Sequence, residues 1–409
     1  MSERKGIRWC AAVVAAGGMT VALVVPATAA TSGGANKWFG TWGVAVATHG
    51  VTGTSATGFG DQTLRQVARI SVGGSAIRLR FSNLYGDRPL VIGATTVARR
   101  AAAGGAAVDP RSVRGVTFGG QRTVTIPAGE DVQSDPVVFR AEAGSEVVVS
   151  SYFPQATGPV TWHWLGLSTN YTATGDESAN GGAAFAVQDS ARYFLSGISV
   201  RTPARGTVAF FGDSITDGNG TPVDADLRYP DQVAKRLMAR PGPKQCGVLN
   251  QSISGNRLLA GGLVPEAGDP GVDRFARDIA RPGVKSVVVL EGINDILTIP
   301  GITADQITAG YQSLIKQGHA QGVTVVGGTL TPYEGYEGYT PQGEAIRQQV
   351  NSWIRSSGAF DSVVDFDAAV RDPAKPTQLL PAYASPDWIH PNATGYGIMA
   401  NAVDLQKVC

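Results

Sequence analysis

The pattern of apolar and polar residues divides the chain into two halves with different periods. In the first half, over residues 38–200, apolar and polar positions alternate, as at Ile77, Leu79 and Phe81 with arginine and serine between and after them. A period of two is that of a half-buried strand, and glycine and proline turns separate these short strands. We therefore predict an antiparallel β-sandwich domain over residues 36–200.

From Thr207 onward, short continuous apolar runs alternate with stretches of helical period. The predicted buried strands are 208–211, 248–249, 286–290, 323–326 and 363–364. The predicted helices are 229–239, 272–280, 304–321, 341–356 and 394–405. Strands that alternate with helices form a parallel sheet covered on both faces, and such sheets bind ligands at the carboxyl ends of their strands. We therefore predict an α/β domain over residues 207–409.

The first thirty residues have the organisation of an export signal. A basic start precedes an apolar stretch from Ala11 to Val25, and Pro26 and the small residues 27–30 follow it. A membrane anchor is the alternative, but the apolar stretch is shorter than the roughly 20 residues that a spanning helix needs. We interpret residues 1–30 as a cleaved signal peptide and expect the protein to be secreted and extracellular.

Charge and cysteine content extend this interpretation. The formal net charge of the 409-residue chain is +1, which gives no reason to expect nucleic acid as a partner. Cys10 lies in the signal peptide, which leaves Cys246 and Cys409. An even pair in an exported chain favours a disulfide, and two unrelated buried thiols are the alternative. In the predicted topology both cysteines lie at the amino-terminal edge of the sheet, so the bridge would be structural.

Candidate chemistry follows the first strand of the second half. Ser214, in Gly212-Asp213-Ser214, stands at the carboxyl end of that strand on a glycine-flanked turn. A serine in this position can be exposed, with backbone N–H groups pointing at whatever binds it. The plainer interpretation is a simple turn residue. The GxSxG turn of another hydrolase fold is absent from the chain, and the segment does not match a phosphate-binding loop.

A histidine and an aspartate near the last predicted helix can complete such a site. His390 is one of four histidines in the chain, and Asp387 precedes it by three positions. An aspartate at this distance can fold back and accept the imidazole Nδ1–H, which leaves Nε2 as a base. The plainer interpretation is a capped loop with a surface histidine.

Two further segments follow predicted strands and therefore reach the same edge as Ser214. They are Ser254-Gly255-Asn256 and Gly292-Ile293-Asn294-Asp295. The N–H groups of Ser214 and Gly255 and the amide of Asn294 can together hold a tetrahedral oxyanion. Turns and helix caps are the plainer interpretation of each segment. The convergence of four separate segments on one sheet edge favours catalysis.

The blocks that contain Ser214, Gly255, Asn294 and His390 resemble the four motif blocks of the SGNH, or GDSL-type, hydrolases in order and spacing. The resemblance covers roughly residues 207–409. It implies a flavodoxin-like three-layer α/β/α sandwich, ester hydrolysis without metal or cofactor, and an acyl-serine intermediate on Ser214, with Asp387 and His390 as its partners. The whole chain, with its β-rich first half, resembles secreted actinobacterial members. We expect a monomer that acts on a small ester, a lipid or an acetylated glycan.

Two other classes of function are alternatives to ester hydrolysis. Catalysis by a metal needs clustered ligands, but the four histidines are scattered and no HxxxH or CxxC occurs, so we predict no catalytic metal. The sequence does not decide whether a surface calcium binds. A non-catalytic carbohydrate-binding protein is the second class. Its stacking platforms would be aromatic residues that are otherwise core residues, namely Trp38, Trp42, Trp162 and Trp164.

One loop offers a wall for the site. Residues 331–339 follow the fourth predicted strand of the second half and hold three tyrosines among glycines. They form either a mobile wall for a sugar or an acyl chain, or an ordinary loop. The chain has no long apolar lid, which favours small acyl groups over long lipids.

Overall fold

The computed structural model of the chain describes residues 37–101 and 104–409, and the predicted signal peptide lies outside them. The first half consists of short strands, as its alternating pattern predicts. These strands are β1 Lys37–Gly43, β2 Gln62–Arg69, β3 Gly74–Ser82, β4 Leu90–Ile92, β5 Ala94–Arg99, β6 Arg114–Gly115, β7 Val124–Ile126, β8 Asp131–Gln133, β9 Val137–Ala141, β10 Glu146–Phe153, β11 Trp162–His163, β12 Asn170–Thr174, β13 Ala186–Val187, β14 Arg192–Tyr193 and β15 Leu195–Thr202. A short helix that the pattern does not predict, α1 (Gly53–Thr57), lies between β1 and β2.

Two antiparallel sheets of this half pack into a sandwich. One has the order β1-β15-β3-β8, with β9 also paired to β3, and the other has the order β13-β12-β2-β10-β5-β6. Side chains of both sheets share one hydrophobic cluster, in which Ile77, Leu79 and Phe81 of β3 join Val147 and Val149 of β10. The alternating apolar positions of the sequence are thus the positions that face the core.

The second half is a parallel sheet with helices. Its strands are β16 Gly206–Gly212, β17 Cys246–Asn250, β18 Val284–Leu290, β19 Thr324–Gly328 and β20 Ser362–Val364, followed by the hairpin of β21 Arg371–Asp372 and β22 Lys375–Leu379. Its helices are α2 Ser214–Asp217, α3 Tyr229–Met238, α4 Gly271–Ile279, α5 Ile293–Thr298, α6 Ala304–Ala320, α7 Pro341–Ser356, α8 Phe366–Val370, α9 Ala393–Ala402 and α10 Leu405–Val408. Among the helices of the described residues, none has the length and apolar character to cross a membrane. The division into independent domains stays a prediction.

The strand order of the parallel sheet determines where a site can form. The order is β17-β16-β18-β19-β20, which is the flavodoxin-like arrangement that the resemblance to the SGNH hydrolases implies. The chain leaves β16 toward one side for β17 and then crosses to the other side for β18. A crevice opens at the carboxyl ends of strands where the order reverses in this way. At Gly212, an added Cβ would lie 2.2 Å from the Leu290 carbonyl oxygen, so only glycine lets β16 and β18 approach this closely at the crevice.

The predicted helices are present with small differences. The helix predicted over 341–356 is α7, with the same bounds, whereas the helix predicted over 394–405 is two helices, α9 and α10. The break lies at Asp404, whose carboxylate accepts the N–H of Gln406 and caps α10. The short helices α2, α5 and α8 and the β21–β22 hairpin were not predicted, because one or two turns carry no readable period.

The predicted disulfide between Cys246 and Cys409 is present. Cys246 is the first residue of β17 and pairs in register with Gly206, the first residue of β16. The bridge joins positions 163 apart in the chain, and it lies at the amino-terminal edge of the sheet. This edge is opposite the carboxyl ends of the strands, as the topology predicts.

Candidate active site

Ser214 is the first residue of α2, directly beyond the buried strand β16. Asp213 caps this helix, since its Oδ1 accepts the N–H of Ile215 at 2.9 Å. Gly218 ends the helix, and its N–H donates to the Ser214 carbonyl at 2.9 Å. The strand, the cap and the single helical turn together hold the Ser214 hydroxyl at the carboxyl edge of the sheet.

Three side chains form one hydrogen-bonded chain at this edge. The Nε2 atom of His390 lies 2.8 Å from the Ser214 Oγ, and its Nδ1 lies 2.6 Å from the Asp387 Oδ2. A carboxylate accepts, so Nδ1 carries the hydrogen and the Nε2 lone pair faces the serine hydroxyl. The sequence predicts this group of residues, and the structure brings all three together.

The loop between β22 and α9 positions the aspartate and the histidine. The Asp387 Oδ1 accepts the N–H groups of Ile389 and His390 at 3.2 and 3.1 Å, which folds the loop back on itself. Burial alone would raise the pKa of Asp387, but these backbone bonds and the imidazole bond lower that pKa to about 2. Asp387 is therefore a carboxylate throughout the neutral range.

The predicted oxyanion donors lie on neighbouring loops of the same edge. Gly255 has a φ of +78° in the turn after β17, a conformation that favours glycine. Within the described residues, the N–H groups of Ser214 and Gly255 donate to no other protein atom. Asn294 lies at the start of α5, and its Nδ2 donates one hydrogen to the Asn256 carbonyl at 2.8 Å. A primary amide has two hydrogens, so one remains for a ligand.

A buried contact between the two halves supports the Gly255 turn. The Nε2 atom of His163, on β11, lies 3.0 Å from the Asp217 Oδ1, and its Nδ1 lies 3.0 Å from the Ala45 carbonyl oxygen. The Asp217 Oδ2 accepts both the N–H and the hydroxyl of Ser254 at 3.1 Å. His163, Asp217 and Ser254 are all buried. The first half of the chain is thus linked through Asp217 to Ser254, the residue that precedes Gly255.

A second buried network of hydrogen bonds is centred on Arg274 and reaches the end of β16, two residues before Ser214. The guanidinium of Arg274 donates to the Gly212 carbonyl at 3.0 Å and to the Asn256 Oδ1 at 2.8 Å, and it lies 3.5 Å from the Glu291 Oε2. Burial raises the pKa of Asp213 to about 7 and that of Glu291 well above its usual range, because each carboxyl lies in a desolvated, acidic surrounding. Arg274 therefore ties the end of β16 to the segment that holds Asn294.

Sequence patterns missed several of these supporting residues. Besides His163, Asp217 and Arg274, the amide nitrogen of Asn219 lies within 3.4 Å of both ring nitrogens of His390, which places it against the face of the ring. The Tyr396 hydroxyl holds Asn219 by donating to its carbonyl at 2.8 Å. None of these residues belongs to a local motif, so no signal in the sequence marks them as part of the site.

The other predicted binding residues divide between core and surface. Trp38, Trp42 and Trp162 are half-buried, and Trp42 and Trp162 pack against the core of the first half. Trp164 has 37% of its surface exposed to solvent, and it lines the same cavity as Gly255. Tyr333 is buried and packs against Tyr339 in the 331–339 loop. In the described part of the chain, no group of three His, Cys, Asp or Glu side chains is arranged to hold a metal ion.

Comparisons with known proteins match part of the chain. Three solved structures each match 48% of this chain, and one is a GDSL-like lipase from Bacteroides thetaiotaomicron with 20% identity, 84% of its own chain covered and a TM-score of 0.34. The second is Est24, a carbohydrate acetylesterase from Sinorhizobium meliloti, with 16% identity, 96% of its chain covered and a TM-score of 0.38. The third is a member of the lipolytic protein G-D-S-L family from Veillonella parvula, with 18% identity, 94% of its chain covered and a TM-score of 0.33. No curated protein matches the chain. The family model of the GDSL-like lipases and acylhydrolases matches residues 210–398. Residues 210–398 of this chain therefore form a domain of the GDSL-like lipase/acylhydrolase family.

Proposed function

We propose that the chain is a serine esterase that hydrolyses carboxylic esters through an acyl-serine intermediate. The observation that carries the proposal is the continuous hydrogen-bonded chain from Asp387 through His390 to Ser214, with distances of 2.6 and 2.8 Å. In this proposal Ser214 is the nucleophile, His390 is the base, and Asp387 orients the imidazole and stabilises its charged form.

Acylation begins when the Ser214 Oγ attacks the ester carbonyl carbon and its proton passes to the His390 Nε2. The carbonyl oxygen becomes an oxyanion, which accepts hydrogen bonds from the N–H groups of Ser214 and Gly255 and the free amide hydrogen of Asn294. The bond to the leaving oxygen then breaks, and that oxygen takes the proton from Nε2. An alcohol departs and an acyl-serine remains.

Deacylation repeats these steps with water. The His390 Nε2 takes a proton from a water molecule as the water oxygen attacks the acyl carbon. The same three donors hold the second oxyanion. When the bond to the serine oxygen breaks, Ser214 recovers its proton from Nε2, and the carboxylic acid leaves.

The direct test compares Ser214→Ala with an exposed serine variant, Ser352→Ala on α7. With p-nitrophenyl butyrate, Ser214→Ala should lose activity by at least about a thousandfold, while Ser352→Ala should match the wild type. A fluorophosphonate probe should form an adduct on Ser214 in the wild-type protein. Full activity in folded Ser214→Ala protein would refute the proposal, and the absence of an adduct would favour a non-catalytic binding protein.

A carbohydrate ester is the second candidate substrate. The half-exposed indole of Trp164 beside Gly255 is the observation that favours it, because sugar rings stack on exposed aromatic faces. Release of acetate from acetylated xylan, measured against p-nitrophenyl acetate, tests this candidate. Acetate release that disappears in Ser214→Ala would assign the substrate, and no release from the polysaccharide would remove it.

We also propose that the protein is secreted. The basic start, the apolar stretch over residues 11–25 and the small residues 27–30 support export and cleavage. Mass spectrometry of the N-terminus of protein collected from culture medium tests this, and a mature chain that begins near residue 31 is the expected result. A chain retained in cells with residues 1–30 intact would contradict it.

A further inference from the structure

A cavity of about 320 Å³ opens directly beside the proposed oxyanion donors. Gly255 and Asn294 line it, and both halves of the chain contribute to its walls. Trp162 and Trp164 come from the first half, whereas Leu263 and Val264 come from the loop that follows β17. A ligand whose carbonyl oxygen rests on the donors therefore has one of its substituents in this cavity.

Three exposed apolar side chains lie together at this cavity. Seven large apolar side chains are exposed among the described residues, and three of them, Trp164, Leu263 and Val264, line the cavity. Leu263 is 69% exposed and Val264 is 49% exposed. Contiguous exposed apolar surface is unfavourable in water and is usual at a site that binds an apolar group.

The position of His390 decides which part of an ester the cavity can take. In the tetrahedral intermediate, the leaving oxygen must lie against the His390 Nε2 to receive its proton. The acyl substituent points away from the imidazole, because the other positions on the carbon hold the serine oxygen and the oxyanion. Neither His390 nor any residue of the 385–391 loop lines the cavity. The cavity therefore lies on the acyl side.

The lining of the cavity holds two charged residues, Arg257 and Glu266. The guanidinium of Arg257 donates through Nε to the Gly261 carbonyl at 2.8 Å and through Nη1 to the Thr298 hydroxyl at 3.2 Å. It is thus engaged with the protein rather than directed at a ligand. Glu266 is the other charged residue of the lining, so the cavity carries one positive and one negative charge. Since most of the remaining wall is apolar, the cavity suits an uncharged aliphatic chain.

We propose that this cavity, which we name the acyl cavity, binds the aliphatic acyl chain of the ester substrate, and that the first half of the chain supplies one of its walls. The proposal rests on the proposed function. A methylene group needs about the space of a water molecule, about 30 Å³, so the cavity has room for about ten non-hydrogen atoms. The preferred substrates are therefore esters of about four to eight acyl carbons rather than acetyl esters.

The test measures kcat/KM of the full chain for p-nitrophenyl acetate, butyrate, hexanoate and octanoate. Each methylene that enters an apolar cavity should raise kcat/KM about two- to fourfold, so hexanoate should exceed acetate by at least about tenfold. The double variant Leu263→Ser/Val264→Ser should lower the hexanoate-to-acetate ratio by about tenfold. Trp164→Ala should also lower this ratio, and Trp164→Phe should restore much of it.

A matched control uses exposed apolar residues elsewhere. Val138 and Val187 are 79% and 71% exposed and do not line the acyl cavity, so Val138→Ser/Val187→Ser should keep the wild-type ratio. Thermal unfolding of each variant establishes that it is folded. The ratio, rather than the rate with one ester, is the readout, because a general loss of activity leaves it unchanged.

The outcomes separate this inference from the proposed function. Hydrolysis that is fastest with acetate, or a ratio that is unchanged in Leu263→Ser/Val264→Ser, overturns the acyl cavity while a serine esterase remains. Fast release of acetate from acetylated xylan with no preference for longer p-nitrophenyl esters assigns the Trp164 surface to a sugar instead. If the wild-type protein hydrolyses no ester and labels with no fluorophosphonate, both proposals fall.

Discussion

The Nε2 atom of His163 lies 3.0 Å from the Oδ1 of Asp217, and this buried pair joins the β-rich half of the chain to the helix that begins with Ser214. The other carboxylate oxygen of Asp217 holds the N–H and the hydroxyl of Ser254, the residue before Gly255. A histidine outside the GDSL-like domain therefore positions the turn that carries a proposed oxyanion donor.

His163→Gln should lower kcat by about tenfold or more with little change in KM. Glutamine can still donate one hydrogen bond to Asp217, whereas His163→Ala leaves the buried carboxylate without this partner and should lose more activity and stability. Steady-state kinetics with p-nitrophenyl butyrate measures the effect, and His319→Ala, at an exposed histidine paired with Asp361, is the control. A KM increase without a kcat decrease would show that His163 does not act through the Gly255 turn.

Asn294→Ala should lower kcat by about 100- to 1,000-fold, because one of three oxyanion donors is removed. KM should change little, since the ground-state carbonyl gains less from the donors than the oxyanion does. Asn401→Ala, at an exposed asparagine of α9, is the matched control. An equal loss in both variants, or a loss confined to KM, would exclude Asn294 as an oxyanion donor.

The free energy of unfolding should depend on pH through the titration of Asp213. Burial raises its pKa to about 7, so the native state keeps a proton that the unfolded state releases above about pH 4. The native state binds more protons in this window, and the free energy of unfolding should therefore fall as the pH rises from about 4 to about 7. Asp213→Asn retains an acceptor for the Ile215 N–H but does not titrate.

Urea unfolding at pH 4, 5, 6 and 7 measures this effect. The decrease in the free energy of unfolding between pH 4 and pH 7 should be smaller in Asp213→Asn than in the wild-type protein. Asp305→Asn, at an exposed aspartate of α6, serves as the control and should keep the wild-type decrease. Equal decreases in all three proteins would show that Asp213 does not hold its proton in the native state.

Removal of the disulfide should separate stability from activity. Cys246→Ala/Cys409→Ala opens a link between positions 163 apart and should lower the free energy of unfolding by about 2–4 kcal/mol. The ester kcat/KM at 25 °C should stay within about twofold of the wild type, because the bridge lies at the sheet edge opposite Ser214. Chemical denaturation and kinetics on the same preparations test both statements. A large activity loss in folded protein would contradict the structural role.

Sequence patterns predict the parts of this fold that depend on neighbours along the chain. The apolar run 208–211 needs burial on both faces, and β16 is buried along its whole length. Because parallel strands end at one edge, placing Ser214, Gly255 and Asn294 after three such strands was enough to predict that they meet. The short helices α2, α5 and α8 are predicted less well, because four to six residues are too few to repeat the period that identifies a helix.

The supporting residues could not be predicted in this way, because their partners are distant in the sequence. His163 and Asp217 are 54 positions apart, and Asn219 lies 171 positions before His390. In the sequence, Asp217 precedes a glycine and is indistinguishable from an ordinary turn residue. The imidazole of His163 reaches the Asp217 carboxylate only because the two halves pack together, and this packing leaves no periodic pattern in the sequence.

The extended segment Trp162-His163-Trp164 also affects how the substrate selectivity of this protein can change by mutation. Side chains alternate along such a segment, so the two tryptophans line the acyl cavity while the histidine between them contacts Asp217. A substitution of Trp164 that suits a new substrate can therefore shift the backbone of the neighbouring His163 and change its contact with Asp217. Laboratory evolution toward other acyl lengths should meet a trade-off between selectivity and turnover here, and compensating changes should appear within this segment before they appear around the nucleophile.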